Sequence, residues 1–189
     1  PRVKAFHALR PTPGTAAQVA SVPYDVVNRE EAVVLAEGNP LSFLHVVRPD
    51  IDFPADTDPY SDQIYQKAAA NFRNLQDQKI LVRDPQESVY AYRQVMNGRA
   101  QTGIVCCCHV DDYENNLILK HEKTRKAKED DRTRHVTAIN ANAGPVFLTY
   151  RDVDQVNSMI ASVIKTEPLY DFVAVDGIQH TIWRIENSE

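Results

Sequence analysis

The sequence is short of glycine. Six glycines against eleven prolines in 189 residues exclude a flexible linker and a glycine-rich Walker loop, and point to many sharp turns. No apolar run approaches membrane-spanning length, and the opening PRVKAFHALR lacks the apolar core of a secretion signal, so no membrane partner and a cytoplasmic location are expected. Cysteine is confined to one run, Cys106-Cys107-Cys108. On a strand, Cys106 and Cys108 would face one side and Cys107 the other, too divergent for a converging metal site. Small buried thiols in a reduced compartment are the expectation, with redox or metal chemistry assisted by His109 as the alternative. Positive charge is in deficit, 21 Lys and Arg against 26 Asp and Glu for a net charge of −5, which disfavours nucleic acid as a partner. There is no internal repeat or low-complexity tract. With 43% hydrophobic residues the chain can bury a sizeable core, and residues 1–189 are expected to form a single domain.

What stands out is residues 120–135, KHEKTRKAKEDDRTRH. Its composition favours helix, yet apart from Ala127 it has no aliphatic or aromatic side chain. At 3.6 residues per turn His121, Thr124, Lys128, Arg132 and His135 fall along the stripe where an amphipathic helix would carry Leu or Val. Such a helix is either a solvated surface element held by ion pairs, or its polar stripe faces a pocket. Histidines, the Glu122 carboxylate and the cations of Arg125, Lys128 and Arg132 are together the parts needed to hold a phosphate and move a proton beside it.

Around this stretch the pattern alternates strands and helices. Residues 3–9 read as a strand, Asn28 with Glu31 as a capping box, and Gly38 as the stop of that helix. Residues 43–49 read as a strand, with Asn39, Ser42 and Arg48 at its ends; His45 suits either a core histidine or a site. Tyr24 and Asp25 sit on a stiff turn after Pro23, as packing and turn residues or as ligand contacts. Asp58-Pro59 opens a packing helix running to about residue 78. Residues 80–83, 88–96 and 100–110 read as strands, the last two joined by Asn97-Gly98 as a hairpin. The acidic turn 111–116 lacks the glycine of a Ca²⁺ loop. Residues 146–150 read as a buried strand, Asp152 as the cap of an apolar-striped helix, and 169–175 with 178–185 as a second hairpin. The fold class is therefore α+β, with a mixed or antiparallel sheet, two β-hairpins and about four helices. The exposed edge of the last hairpin offers a second copy a pairing surface, so a homodimer is an expectation.

Several of these motifs occur together in one family. They are Val22-Pro23-Tyr24-Asp25-Val26, Asn39-Pro40 with Ser42-Phe43-Leu44-His45-Val46, Tyr90-Ala91-Tyr92, Gln101-Thr102-Gly103, Asp112-Tyr113, Lys120-His121-Glu122 with Thr124, Lys128-Glu129-Asp130-Asp131-Arg132, and Gly144-Pro145-Val146-Phe147. In this combination, over nearly its whole length, the chain resembles the N-terminal half of the domain-of-unknown-function family numbered 1015. Val22 departs from that family's second proline, which leaves Tyr24-Asp25 less rigid. The second half of the family carries an Asp-Gly-His-His-Arg signature, similar to that of free-serine kinases of the ParB/sulfiredoxin-like group. Asp176-Gly177-Ile178-Gln179-His180 begins similarly but lacks the paired His and the Arg, and suits a hairpin turn.

The resemblance implies the N-terminal half of a longer protein, ParB/sulfiredoxin-like elements, and the phosphate- or nucleotide-binding part of a small-molecule, serine-like kinase that is inactive as a fragment. ATP or ADP with Mg²⁺ would be the cofactor. On that basis Lys120, Thr124, Lys128 and Arg132 are expected to bind phosphate, with His121 or Glu122 as acid/base. Tyr24, Asp25, Asn39, Ser42, His45 and Arg48 are expected to bind substrate, with no protein-held metal. Two other classes stay open: a nucleic-acid-binding ParB-like module, which the acidic charge disfavours, and a non-catalytic regulatory or assembly domain.

Overall fold

A computed structural model describes residues 1–121 and 123–186. The described residues form an α+β fold with seven α-helices and antiparallel sheets. The chain divides into two compact units, one made of residues 1–17, 82–122 and 148–189, the other of residues 18–81 and 123–147.

The first unit is built on a four-stranded antiparallel sheet. Strands β1 (Val3–Lys4), β2 (Leu9–Pro11) and β3 (Leu81–Arg83) are short. They precede β4 (Ser88–Met96), β5 (Arg99–Val105), β6 (Cys107–Cys108), β7 (Tyr170–Val173) and β8 (Gln179–Glu186). The sheet order is β5-β4-β8-β7, with β1 paired to β6 and β2 to β3. Both expected hairpins are present. Asn97 and Gly98 have φ of 51° and 76°, the doubly left-handed turn whose twist suits a two-residue connection. Gly177, at φ 79°, serves the second hairpin. Ala91, Thr181 and Trp183 bury the sheet's inner face. At its edge Asp84 is completely enclosed: Arg10 Nε and Nη2 donate to Oδ1 at 2.7 and 2.6 Å, Tyr90 donates to Oδ2, and Arg184 lies 3.5 Å away.

The second unit is helical. It contains α2 (Arg29–Ala36), α3 (Leu44–Val47), a 3₁₀ turn at Pro49–Asp52, α4 (Asp62–Asp77) and α6 (Lys126–Ile139), with Ala32, Leu44, Val46, Ala68 and Phe72 in its core. Three helices fall outside that set: α1 (Ala16–Val19), α5 (Val110–Glu114) and α7 (Asp154–Val163). The α2 capping box is complete, Glu31 N donating to Asn28 Oδ1 and Asn28 N to Glu31 Oε2.

Several local expectations are corrected. Residues 43–49 are a helix and a 3₁₀ turn: Ser42 Oγ accepts from Leu44 N at 3.3 Å, and burial of Leu44, Val46 and Val47 outweighs the strand preference of the valines. Residues 146–150 form no strand, because apolar character supplies no pairing partner; Val146 and Phe147 are 81% and 77% exposed. Residues 3–9 break into β1, an isolated bridge from Phe6 to Ser88, and β2. The α4 N-cap is Ser61 rather than Asp58, and that of α7 is Val153 rather than Asp152. The acidic turn winds into α5. Cys107 is exposed while Cys106 and Cys108 are partly buried, and all three thiols are free. Burial, with the neighbouring thiols, pushes Cys106 up to about 11. No helix among the described residues is long and apolar enough to cross a membrane.

Candidate functional site

The polar helix α6 starts at Lys126 and not at Lys120. Cations crowd the segment before it, at Lys120, Lys123 and Arg125, where the positive end of a helix dipole would repel them. The helix begins only where Glu129 enters its first turn. Consequently Lys120 and His121 belong to the sheet unit, where Lys120 Nζ lies 4.7 Å from the Tyr113 ring centroid. Thr124, Lys128 and Arg132 belong to the helical unit. Glu122 lies outside the described residues.

The buried stripe of α6 is Asp131, His135 and Ile139: His135 is where the spacing put it, whereas Asp131 is buried in place of its neighbour Arg132, and Lys128 is exposed. Asp131 Oδ1 accepts from Tyr65 OH on α4 at 2.8 Å. Its Oδ2 accepts from Arg132 Nε and Nη2 at 3.1 and 2.8 Å. Burial, with the Asp131 hydrogen bond, pushes the Tyr65 hydroxyl up to about 12. His135 Nε2–H donates to Val46 O on α3 at 2.8 Å. Its burial lowers its proton affinity, holding the ring neutral at pH 7.

Arg132 then reaches out to Tyr24, its guanidinium carbon 4.2 Å from the ring centroid. Stacking of this kind leaves the guanidinium edge open to other acceptors. Nη1 has no hydrogen-bond partner among the described residues, and the side chain is 29% exposed. Tyr24 is gripped from its other end by Arg48, whose Nη1 donates to Tyr24 O at 3.2 Å and Val27 O at 2.6 Å. Arg48 Nε and Nη2 form a fork on Asp50 at 3.0 and 2.9 Å. That hydrogen-bonded fork outweighs the desolvation cost and raises the arginine's affinity for its proton, with Asp131 adding to the field. The helical unit thus gathers Tyr24, Arg48 and Arg132 from three separate stretches of sequence.

Lys128 stands one turn before Arg132, exposed and without an ion-pair partner among the described residues. A second group surrounds a cleft of about 440 Å³ lined by Ser42, His45, Asp52, Lys67, Asn71 and Asn74. The remaining expected residues are elsewhere. Asp25 and Thr124 are exposed. Asn39 holds a turn, its Nδ2 donating to Gln18 O and its Oδ1 accepting from Leu41 N. Asp131, Tyr65, Asp50 and Asp52 were not anticipated. Only Asp131 carried a signal, since it lies one helical turn before His135 and two before Ile139. No cluster of three or more His, Cys, Asp or Glu among the described residues could hold a metal ion.

The model of a family described as "Protein of unknown function (DUF1015)" matches residues 3–189. No curated protein and no solved structure matches the chain.

Proposed function

We propose, starting from the membership of this chain in the DUF1015 family, that its helical unit binds the phosphate of a small molecule and serves a phosphotransferase acting on a serine-like hydroxyl. One observation carries the anion site: among the described residues Arg132, over the Tyr24 ring and bonded to Asp131, keeps Nη1 uncommitted, and Lys128 stands one turn away with no partner. A guanidinium already oriented loses little entropy when it takes a phosphate oxygen, and the ammonium adds a second charge-assisted donor. The uncapped N-terminus of α6, where Arg125 makes no side-chain hydrogen bond, adds a favourable dipole. Arg48 serves this reading as the residue that positions Tyr24, since its forked donors are engaged by Asp50.

A nucleoside triphosphate with Mg²⁺ would supply the phosphoryl group when bound. The residues present fit its anionic end: Lys128 and Arg132 hold phosphate oxygens and neutralise their charge. The kinase assignment rests on a signature of the family's second half that this chain does not carry, and the anion site on the geometry of α6.

A second reading is favoured by a different feature. Arg48 and Arg132 each already face a carboxylate, Asp50 and Asp131, as in a structural network of a regulatory or assembly domain. Thermal-shift measurements against ATP, ADP, serine, phosphoserine and short duplex DNA separate the two. Stabilisation by the nucleotides or phosphoserine that is lost in Arg132→Ala supports the anion site. Absence of any shift favours the structural network, and a salt-sensitive shift with DNA alone would favour a nucleic-acid module.

A further inference from the structure

We propose that His45 and Asp52, clamped by Asn71, form a dyad that accepts a ligand hydroxyl's hydrogen bond in the cleft beside α4, and that this cleft takes a small hydroxylated carboxylate. The inference does not depend on the phosphate reading of α6.

The dyad is made by the break between α3 and the 3₁₀ turn. Arg48-Pro49 ends α3 and turns the chain back, so that Asp52 returns beside His45 seven residues earlier, Nδ1 to Oδ1 at 2.7 Å. Asn71 on α4 spends both hydrogens of Nδ2 on the pair, one on Asp52 Oδ2 at 2.9 Å and one on His45 O at 2.7 Å. Both carboxylate oxygens are engaged, and the main chain carrying the imidazole is tied to the same amide. In the neutral ring, a carboxylate accepting at Nδ1 places the hydrogen there and leaves the lone pair on Nε2. Nε2 has no hydrogen-bond partner among the described residues, and His45 lines the cleft. An ordinary surface ion pair would need neither the second clamp nor the opening.

The charges around the dyad define the ligand. Lys67, one turn before Asn71 on α4, forms an ion pair with Asp52, Nζ to Oδ2 at 3.6 Å, and with its side chain 40% exposed it can face a second anion as well. Its ammonium is placed to recruit an anionic group. Ser42, whose Oγ already accepts from Leu44 N, keeps its own hydrogen to donate. A cleft of about 440 Å³ accommodates a small metabolite. A ligand with a carboxylate toward Lys67 and Ser42 and a hydroxyl toward His45 satisfies all three groups. The ligand hydroxyl donates a hydrogen bond to Nε2, its O–H bond staying intact.

Nitrogen-15 NMR of the histidine side chains, with His45 assigned through His45→Gln, tests both parts. In the unmodified protein at neutral pH the expected result is the Nδ1–H tautomer for His45. Addition of D-glycerate, L-lactate or L-serine should move the Nε2 resonance, and propionate, lacking the hydroxyl, should bind about tenfold more weakly, the worth of one hydrogen bond. Lys67→Met should weaken the hydroxy acids by a similar factor, and Asp52→Asn should mix the tautomers. The proposal is overturned by an Nε2–H tautomer in the unmodified protein, or by His45 resonances unmoved by all three hydroxy acids at millimolar concentration. Arg132→Ala leaves these signals unchanged, so failure of the α6 reading is recorded separately.

Discussion

The Arg132 guanidinium lies 4.2 Å from the centre of the Tyr24 ring, so the most exposed arginine edge of the buried network is oriented by an aromatic face and not by charge alone. Tyr24→Leu removes that face. A cation–π contact is worth about 1 kcal/mol, so phosphate affinity should fall about fivefold by calorimetric titration. Arg132→Lys keeps the charge but not the plane or the fork, and should lose at least as much. Affinity unchanged in both would separate the stacking from binding.

The Tyr65–Asp131 hydrogen bond crosses between α4 and α6 at 2.8 Å in a buried setting. Tyr65→Phe should cost about 1 kcal/mol in urea denaturation, whereas Asp131→Ala, which leaves the tyrosine hydroxyl unpartnered, should cost about 2 to 3 kcal/mol. Equal costs would mean that the hydroxyl finds another acceptor.

Asp84 lies in the other unit and reports on stability there. Burial by itself would raise its carboxyl, but hydrogen bonds from Arg10 and Tyr90 and the charges of Arg10 and Arg184 outweigh it, so it stays below the usual carboxylate range. Its contribution is therefore full above about pH 4, where the unfolded carboxyl is also ionised, and is lost as pH falls through its folded value. Asp84→Ala strands Arg10 and should cost about 3 to 5 kcal/mol at pH 7. If Asp84→Asn leaves the acid limb of the stability curve unchanged, another group controls that limb.

His135 sets a second pH window. Burial holds it below its ordinary value, an effect only partly offset by the hydrogen bond to Val46. Folded and unfolded rings are both neutral at pH 7; below about pH 6.5 the unfolded chain takes the proton first, so stability declines until the folded value is reached. In His135→Gln this decline should shrink while the bond to Val46 O is retained. A residual slope is expected from His180, likewise lowered by burial. An unaltered slope in equilibrium unfolding between pH 7 and 5 would refute the assignment.

The features legible in the sequence were those decided by neighbours in the chain. The Asn28 capping box and the Asn97-Gly98 turn are local chemistry, and both formed as read. The helical, non-apolar character of α6 was legible from composition and the inward His135 from spacing, but Asp131 was not: it is buried because Tyr65, 66 positions away, offers it a hydroxyl. Reading residues 43–49 as a strand hid the return of Asp52 to His45, which requires the helix and 3₁₀ turn that tertiary burial imposes. Apolar residues 146–150 suggested a buried strand, yet pairing depends on a partner that apolar character does not encode.

Anion binding by α6 is the central property to measure. Isothermal titration of ADP and of inorganic phosphate into the chain, compared with Lys128→Ala and Arg132→Ala, measures this. The prediction is saturable binding to the unmodified protein, weakened about tenfold or more in each variant, with unchanged circular dichroism. Binding of equal strength in all three proteins, or none in the first, would contradict it.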